Sequence, residues 1–266
     1  MDETPHPRGA GLAALVARGL IDAELAALVA LLVEARVPAV VAGPPGAPRD
    51  AVVDALCDAL PDAARVVELG GEAEEFEWLP EATELGWRRE RRDVSPAVQD
   101  ASWRASSSSA VLLTRDLGGR EAASTGGERA RLVVRALTLG YGLVAGMTAD
   151  GLEGVLSRLR EPGIAADEDE RSRLGLVLAL SKTAAGARVT AAHYVRPVSR
   201  DQHGHVQRLP PAVLATWDPA ADRWDHFAWG VLPELALRLG MRPIELEREQ
   251  ARRTAGLRAD VASADR

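Results

Sequence analysis

Lysine is nearly absent from this chain. Lys182 is the single lysine among 32 basic residues, and this bias, with the abundance of alanine, points to a GC-rich bacterial genome. Cysteine is as scarce. Cys57 stands alone, which excludes an intramolecular disulfide; lying in an apolar stretch, it reads as an inert core residue. Aromatic residues make up 4% of the chain. No apolar run approaches the ~20 residues a membrane-spanning helix needs. The opening MDETPHPRGAG lacks the basic-then-apolar order of a signal peptide. A cytoplasmic protein without direct membrane insertion is therefore expected. The net charge of −7 gives no reason to expect nucleic acid. What is present is ordinary for a soluble globular chain: 266 residues, 47% apolar and 27% charged, enough for one large domain with a substantial core.

The most informative stretch is one that is almost a phosphate-binding loop. VPAVVAG (37–43) reads as a short buried strand and AVVDALCDAL (51–60) as an apolar helix, with GPPGAPRD between them. A Walker A loop has the pattern G-x-x-x-x-G-K-[ST] in this setting. Gly43, Pro44, Pro45, Gly46 and Ala47 keep the spacing. Pro48 then stands at the second glycine, Arg49 at the lysine and Asp50 at the hydroxyl. Pro48 has no N–H to offer a phosphate and a fixed φ. Arg49 is a planar fork rather than a compact point charge. Asp50 brings a carboxylate to the helix start where the phosphates belong. Arg49 reads as a surface side chain in a loop that binds nothing, against a residual phosphate contact; Asp50 reads as a helix N-cap, against a metal ligand.

Along the chain, 12–36 has helical spacing, 64–71 reads as a second strand, and 110–114 (AVLLT) as a buried strand. A loop over 118–127 leads to a helix over 129–139, a strand over 142–148 and a helix over 152–159. A further helix is expected over 174–180. The acidic run 72–77 and the basic run 88–92 read as solvated surface. The tail, 187–198 and 211–230, alternates like antiparallel strands with DPAAD as a turn, and helices follow from 231 to about 257, interrupted at 240–243. This order points to a largely parallel sheet covered by helices.

The order of segments resembles the ATPases that power type II and type IV secretion, type IV and Tad pili and archaeal flagella. TLGYGLVAGMTADGLEGVLSRL (138–159) is similar to that family's histidine-box segment. LLVEARVPAVVAGPPGA (31–47) is similar to its approach to the P-loop, and LPELALRLGMRPIELEREQARR (232–253) to the C-terminal helices of the Tad and archaeal branches. The resemblance spans roughly 12–259 and covers the motor domain. It implies an α/β fold: a RecA-like P-loop NTPase domain with a mostly parallel sheet over 12–186, a small antiparallel β appendage of the same domain over 187–230, and a C-terminal helical segment over 231–259. Carried over position by position, the P-loop Lys and Ser/Thr fall on Arg49 and Asp50. The acidic box falls on Gly70 and Gly71, the Walker B Gly-Glu on Thr114 and Arg115, the histidine-box His on Thr148, and the earlier Gly-His on Gly140 and Tyr141. Asp116 is adjacent to Arg115, but strand alternation predicts that it points elsewhere. Hydrolysis of a nucleotide needs donors around the phosphates, a metal held by a hydroxyl and carboxylates, and a group to position water; the backbone punctuation is kept and those side chains are not.

The reading is of a degenerate nucleotide site with no catalytic residues, no resident metal and no required cofactor, weak ATP and Mg²⁺ binding being the alternative. It is of a scaffold or regulator in a secretion or pilus machine. The expected partners are protein: a second copy, an active ATPase relative, or pilus and secretion platform proteins that would hold it peripherally at the inner face of the membrane. The alternatives are a divergent active ATPase with Asp116 or Asp150 recruited for metal, and an unrelated protein-binding module on a P-loop scaffold. Arg115 reads as an ordinary surface cation in a weak salt bridge, with pairing to Asp116 or to a partner's acid at an interface as the alternative. His193, His203, His205 and His226 show no metal-ligand spacing beyond one H-x-H. Trp217, Trp224, Phe227 and Trp229 are expected to pack the antiparallel strands onto the domain, with a protein-binding surface as the alternative.

Overall fold

The apolar run after Pro38 forms β1, Ala39–Gly43, buried along its whole length. A computed structural model describes residues 10–88, 105–184, 186–200 and 205–264. β1 is the hub of an eight-stranded sheet. The other strands are β2 (Arg65–Glu68), β3 (Ala110–Thr114), β4 (Gly142–Thr148), β5 (Leu176–Thr183), β6 (Gly186–Tyr194), β9 (Ala212–Asp218) and β10 (Arg223–His226), in the order β10-β9-β6-β5-β1-β4-β3-β2. The five strands β5-β1-β4-β3-β2 are parallel. β6, β9 and β10 are antiparallel and continue the same sheet, while β7 (Ser199–Arg200) and β8 (Val206–Gln207) form a separate small pair.

Strand alternation sorts side chains to two cores. Ala39 and Val41 of β1, with Leu176, Leu178 and Leu180 of β5, face one helical layer. That layer holds α1 (Ala10–Ala17), α2 (Ala23–Glu34), α3 (Arg49–Asp58), α7 (Leu232–Arg238) and α8 (Pro243–Ala264). Val40, Ala42, Leu112 and Met147 face the other, made by α4 (Gly127–Ala136), α5 (Gly151–Arg160) and the segment around Phe76 and Trp78; the short α6 (Glu168–Arg171) follows α5. The result is a three-layer α/β architecture with a mostly parallel sheet, an antiparallel extension and C-terminal helices. Arg253 fixes α8 to α2 by a two-pronged contact with Glu34, at 2.6 and 2.9 Å, the fork geometry arginine favours.

Two expectations are corrected here. The stretch 174–180 falls on β5, which begins at Leu176, and is not helix. A short continuous apolar run has the same pattern in a buried strand as in a buried helix, and here both faces of β5 are covered. Gly175 marks its start, since a Cβ there would lie 2.1 Å from Val37 Cγ1. The helical spacing over 12–36 is divided between α1 and α2, because Gly19 turns the chain at φ +65° and Asp22 caps α2 by accepting from Leu25 N–H at 3.0 Å.

The topology fixes where a ligand site belongs. The chain leaves β1 for the far edge, returns through β3 and β4, and then crosses β1 to lay down β5. In open α/β sheets the crevice at the carboxyl ends of strands beside such a switch is the favoured binding place. The turns following β1, β3 and β4, and the end of β5, all meet there.

Candidate functional site

The turn after β1 is closed on itself. Pro44, Pro45 and Pro48 lack an N–H, the Ala47 amide donates to the Pro44 carbonyl at 3.1 Å, and the Arg49 amide donates to the Ala47 carbonyl at 2.8 Å. A loop that spends its amides internally is a poor phosphate cradle. Gly46 takes the left-handed conformation, φ +73°, as a turn of this kind requires. α3 starts at Arg49 with Pro48 as its N-cap, so Asp50 is not the cap; it sits exposed in the first turn.

Arg49 is not an idle surface side chain either. Its stem folds back over the end of β1, where a Cβ on Gly43 would meet Arg49 Cγ at 3.3 Å. Its Nη1 donates to Thr148 Oγ1 at 2.6 Å and lies 3.5 Å from Asp116 Oδ1. Asp116 also accepts from the Thr148 amide at 3.3 Å and from Ser124 Oγ at 2.8 Å. The side chains of Arg49 and Asp116 are 17% and 25% exposed. Asp116 therefore points into the crevice, contrary to the alternation argument. β3 ends at Thr114, and beyond a strand's end the alternation no longer dictates direction. The turn is held by Leu117 N–H to the Gly146 carbonyl at 2.8 Å and Thr125 N–H to the Asp116 carbonyl at 3.0 Å. Gly119 is packed so tightly against the carboxylate that a Cβ there would lie 1.8 Å from Asp116 Oδ2.

The other expected positions are placed differently. Thr114 is buried and its hydroxyl bonds Thr125 Oγ1 at 2.8 Å. Arg115 turns away to Asp54 of α3 at 2.5 Å, an exposed pair, rather than to Asp116. Gly71 adopts φ +60° and its Cα abuts the 118–127 loop; a Cβ would come within 2.4 Å of the Ala122 carbonyl oxygen. The Gly70 amide donates to Glu74 Oε2 at 3.0 Å. Glu74 is only 8% exposed and also accepts from Phe76 N–H at 2.7 Å and Trp78 Nε1 at 3.2 Å, so the acidic run 72–77 is not uniformly solvated. Tyr141 precedes β4 whereas Thr148 ends it, about 23 Å away at ~3.3 Å per residue. Its buried hydroxyl donates to Glu81 Oε2 and the Ala105 carbonyl, each at 3.1 Å, and desolvation followed by the Glu81 charge raises its pKa. Asp150 lies exposed at the start of α5.

The sequence reading missed Ser124 and Lys182. Ser124 sits in a loop rich in small residues and carries no motif signal. Lys182 had one: it is the lone lysine in an arginine-dominated chain. Its Nζ lies against the loop, 2.9 Å from where a Gly46 Cβ would stand. The histidines are dispersed. His203 lies outside the described residues, His205 is exposed, burial lowers the pKa of His193, and His226 bonds Asp22 at 2.9 Å. Among the described residues no group of three His, Cys, Asp or Glu side chains is arranged to hold a metal ion, and no helix is long and apolar enough to cross a membrane. The tail aromatics divide: Trp224 packs inward and donates to the Val189 carbonyl at 2.8 Å, while Trp229 is 76% exposed.

The carboxylate and hydroxyl nearest the loop are already engaged with the Arg49 cation, and most of the loop's amides are spent or missing.

No family model matches the chain, and no curated protein matches it. In fold it is similar to the VirB11 ATPase of the Brucella suis type IV secretion system, solved in complex with sulphate, at 18% identity and a TM-score of 0.44 over 73% of this chain. The match covers 59% of that ATPase, so the chain spans less than two thirds of its length.

Proposed function

We propose that this chain derives from the secretion and pilus motor ATPases and serves as a non-hydrolysing scaffold or regulator in such a machine, its nucleotide site filled by its own side chains. One observation carries the proposal: Arg49 Nη1 is 2.6 Å from Thr148 Oγ1 and 3.5 Å from Asp116 Oδ1. An intramolecular cation occupies the place beside the carboxylate and hydroxyl that phosphoryl transfer would need for metal and phosphate. Motor family membership is supported by the order of the sequence segments.

Calorimetric titration with ATP and ADP, with and without Mg²⁺, tests the reading. No heat of binding at millimolar nucleotide is expected. Magnesium-dependent hydrolysis that disappears in Arg49→Ala would overturn it.

A second reading, a divergent nucleotide-binding protein, is favoured by one feature. Lys182 Nζ lies 2.9 Å from where a Gly46 Cβ would stand, so a cation that the motif lacks is supplied by β5. Under that reading ATP binds with micromolar affinity and Lys182→Ala abolishes binding, whereas under the first reading Lys182→Ala has no binding to remove.

A further inference from the structure

The opposite end of the sheet carries a second concave surface. β6 runs antiparallel to β5, so the residues after Tyr194 emerge where β5 begins, far from the turn after β1. There the end of α5, Ser172, the stretch 195–198 and the stretch 208–211 enclose a cavity of about 400 Å³. Its charge is one-sided. Arg160, Arg171, Arg196 and Arg208 line it, and among the described lining residues Glu168 is the only acid. That concentration of guanidinium groups stands out on a chain whose net charge is −7.

The arginines are partly held in place. Arg196 Nε contacts Glu234 at 2.9 Å and its Nη1 donates to the Pro210 carbonyl at 3.1 Å; Arg171 donates to the Ala166 carbonyl. Arg208 leans on Glu168 at 3.0 Å and Asp169 at 3.7 Å, but both acids are 58% exposed, so exchanging them for another carboxylate costs little. Arg160 makes no ion pair with the described residues. Each guanidinium carries five N–H donors, of which these contacts use one or two.

The remaining lining is apolar. Leu156 and Val195 form part of the wall, and Leu209 is 53% exposed at the recess. An arginine-flanked apolar recess is complementary to a carboxylate next to an apolar side chain. It suits a nucleic acid poorly, because phosphate backbones are tracked by extended basic stripes, and the apolar wall has no role for a free inorganic anion.

We propose that this recess docks an acidic peptide segment of a partner protein. An apolar side chain of the segment fills the space beside Leu156 and Leu209, and flanking Asp or Glu residues pair with Arg160 and Arg208. The surface is distinct from the Arg49 crevice, and the proposal does not depend on the state of that site.

Fluorescence anisotropy of the full chain with fluorescein-labelled heptapeptides tests it. The peptides carry a central Leu or Phe with Glu or Asp on both sides; the controls replace the acids by Lys or the apolar residue by Gly. The acidic apolar peptides are expected to bind and to weaken with added salt. Arg160→Glu and Leu209→Ser should each raise Kd about tenfold or more, while Arg49→Ala leaves Kd unchanged. Both side chains are exposed, and circular dichroism of the variants checks that the fold is retained. Absence of saturable binding for every acidic peptide at millimolar concentration would overturn the proposal. So would indifference to both variants, or equal competition by inorganic phosphate with Leu209→Ser silent, which would mark a free-anion site instead.

Discussion

Arg49 and Asp116 face each other across the carboxyl edge of the sheet, Nη1 to Oδ1 at 3.5 Å, with Thr148 Oγ1 bridging at 2.6 Å from the same nitrogen. Each comes from the turn that follows a different parallel strand, and the bridging threonine closes a third. The switch in strand order brings these turns together, and the sequence then supplies a cation, an anion and a hydroxyl that satisfy one another. Within that network each of the three side chains contacts the other two.

Removing either ion should therefore be costly to the fold. Arg49→Ala leaves Asp116, 25% exposed, with hydroxyl and amide donors but no cation, a loss of about 1.5–3 kcal/mol for hydrogen bonds to charged groups. A midpoint drop of about 2–4 °C per kcal/mol follows for large domains. Asp116→Asn with Arg49→Ala should cost less than the sum of the two single changes. A double-mutant cycle by thermal melting that gives strict additivity would separate the two groups energetically.

Gly71 stands where the resemblance implies an acidic residue, and its backbone explains why a side chain is not tolerated. It has φ +60°, and a Cβ would come within 2.4 Å of the Ala122 carbonyl oxygen. Gly71→Ala should destabilise by about 1–3 kcal/mol from the left-handed conformation alone, with more from the clash. Gly70→Ala, whose nearest neighbour would be at 3.6 Å, should be nearly neutral. Urea midpoints of the two variants provide the contrast.

Cys57 lies half-buried on α3, and burial pushes its thiol pKa up to about 11, against the opposing pull of Arg115. The thiolate is the reactive form, so at pH 8 the folded protein should react with iodoacetamide far more slowly than the unfolded chain. Equal rates in native buffer and in denaturant would mean that α3 opens readily.

Much of the fold is legible because buried parallel strands are short, apolar and punctuated. The runs 110–114 and 142–148 coincide with β3 and β4 to the residue. The stretch over β5 misleads for the same physical reason: LVLAL has no polar residue to reveal its period, and only the neighbouring strands decide it. The unusual chemistry of loop 43–50 is readable from residue types alone, but where Arg49 points is not. Its partners, Asp116 and Thr148, are 67 and 99 positions away, and only the return of the chain through β3 to β4, laid parallel beside β1, brings them to it. Glu74 shows a parallel limit, since a glutamate within an acidic run gives no sign that it alone is buried under Phe76 and Trp78.

Stability should also fall with rising pH through one histidine. His226 Nε2 lies 2.9 Å from Asp22 Oδ2 and Nδ1 lies 3.8 Å from Glu24 Oε1, which ties the last strand of the sheet to the first turn of α2. Burial by itself lowers the pKa of His226. The hydrogen bond and charge of Asp22, then Glu24 and Asp225, outweigh it, so the folded value lies above the ordinary 6.5. A group whose folded pKa is raised binds its proton more tightly in the native state. Its contribution is thus complete below about pH 6.5 and is lost as pH rises through the folded value. Asp22 also caps α2 with its other oxygen, at 3.0 Å from Leu25 N, so losing the imidazolium loosens a carboxylate with two duties. Melting temperatures from pH 6 to 9 should decline in the native chain, and the slope should be shallower in His226→Gln. That substitution keeps an amide donor near Asp22 but removes the titration. A decline of equal slope in both proteins would place the pH sensitivity elsewhere.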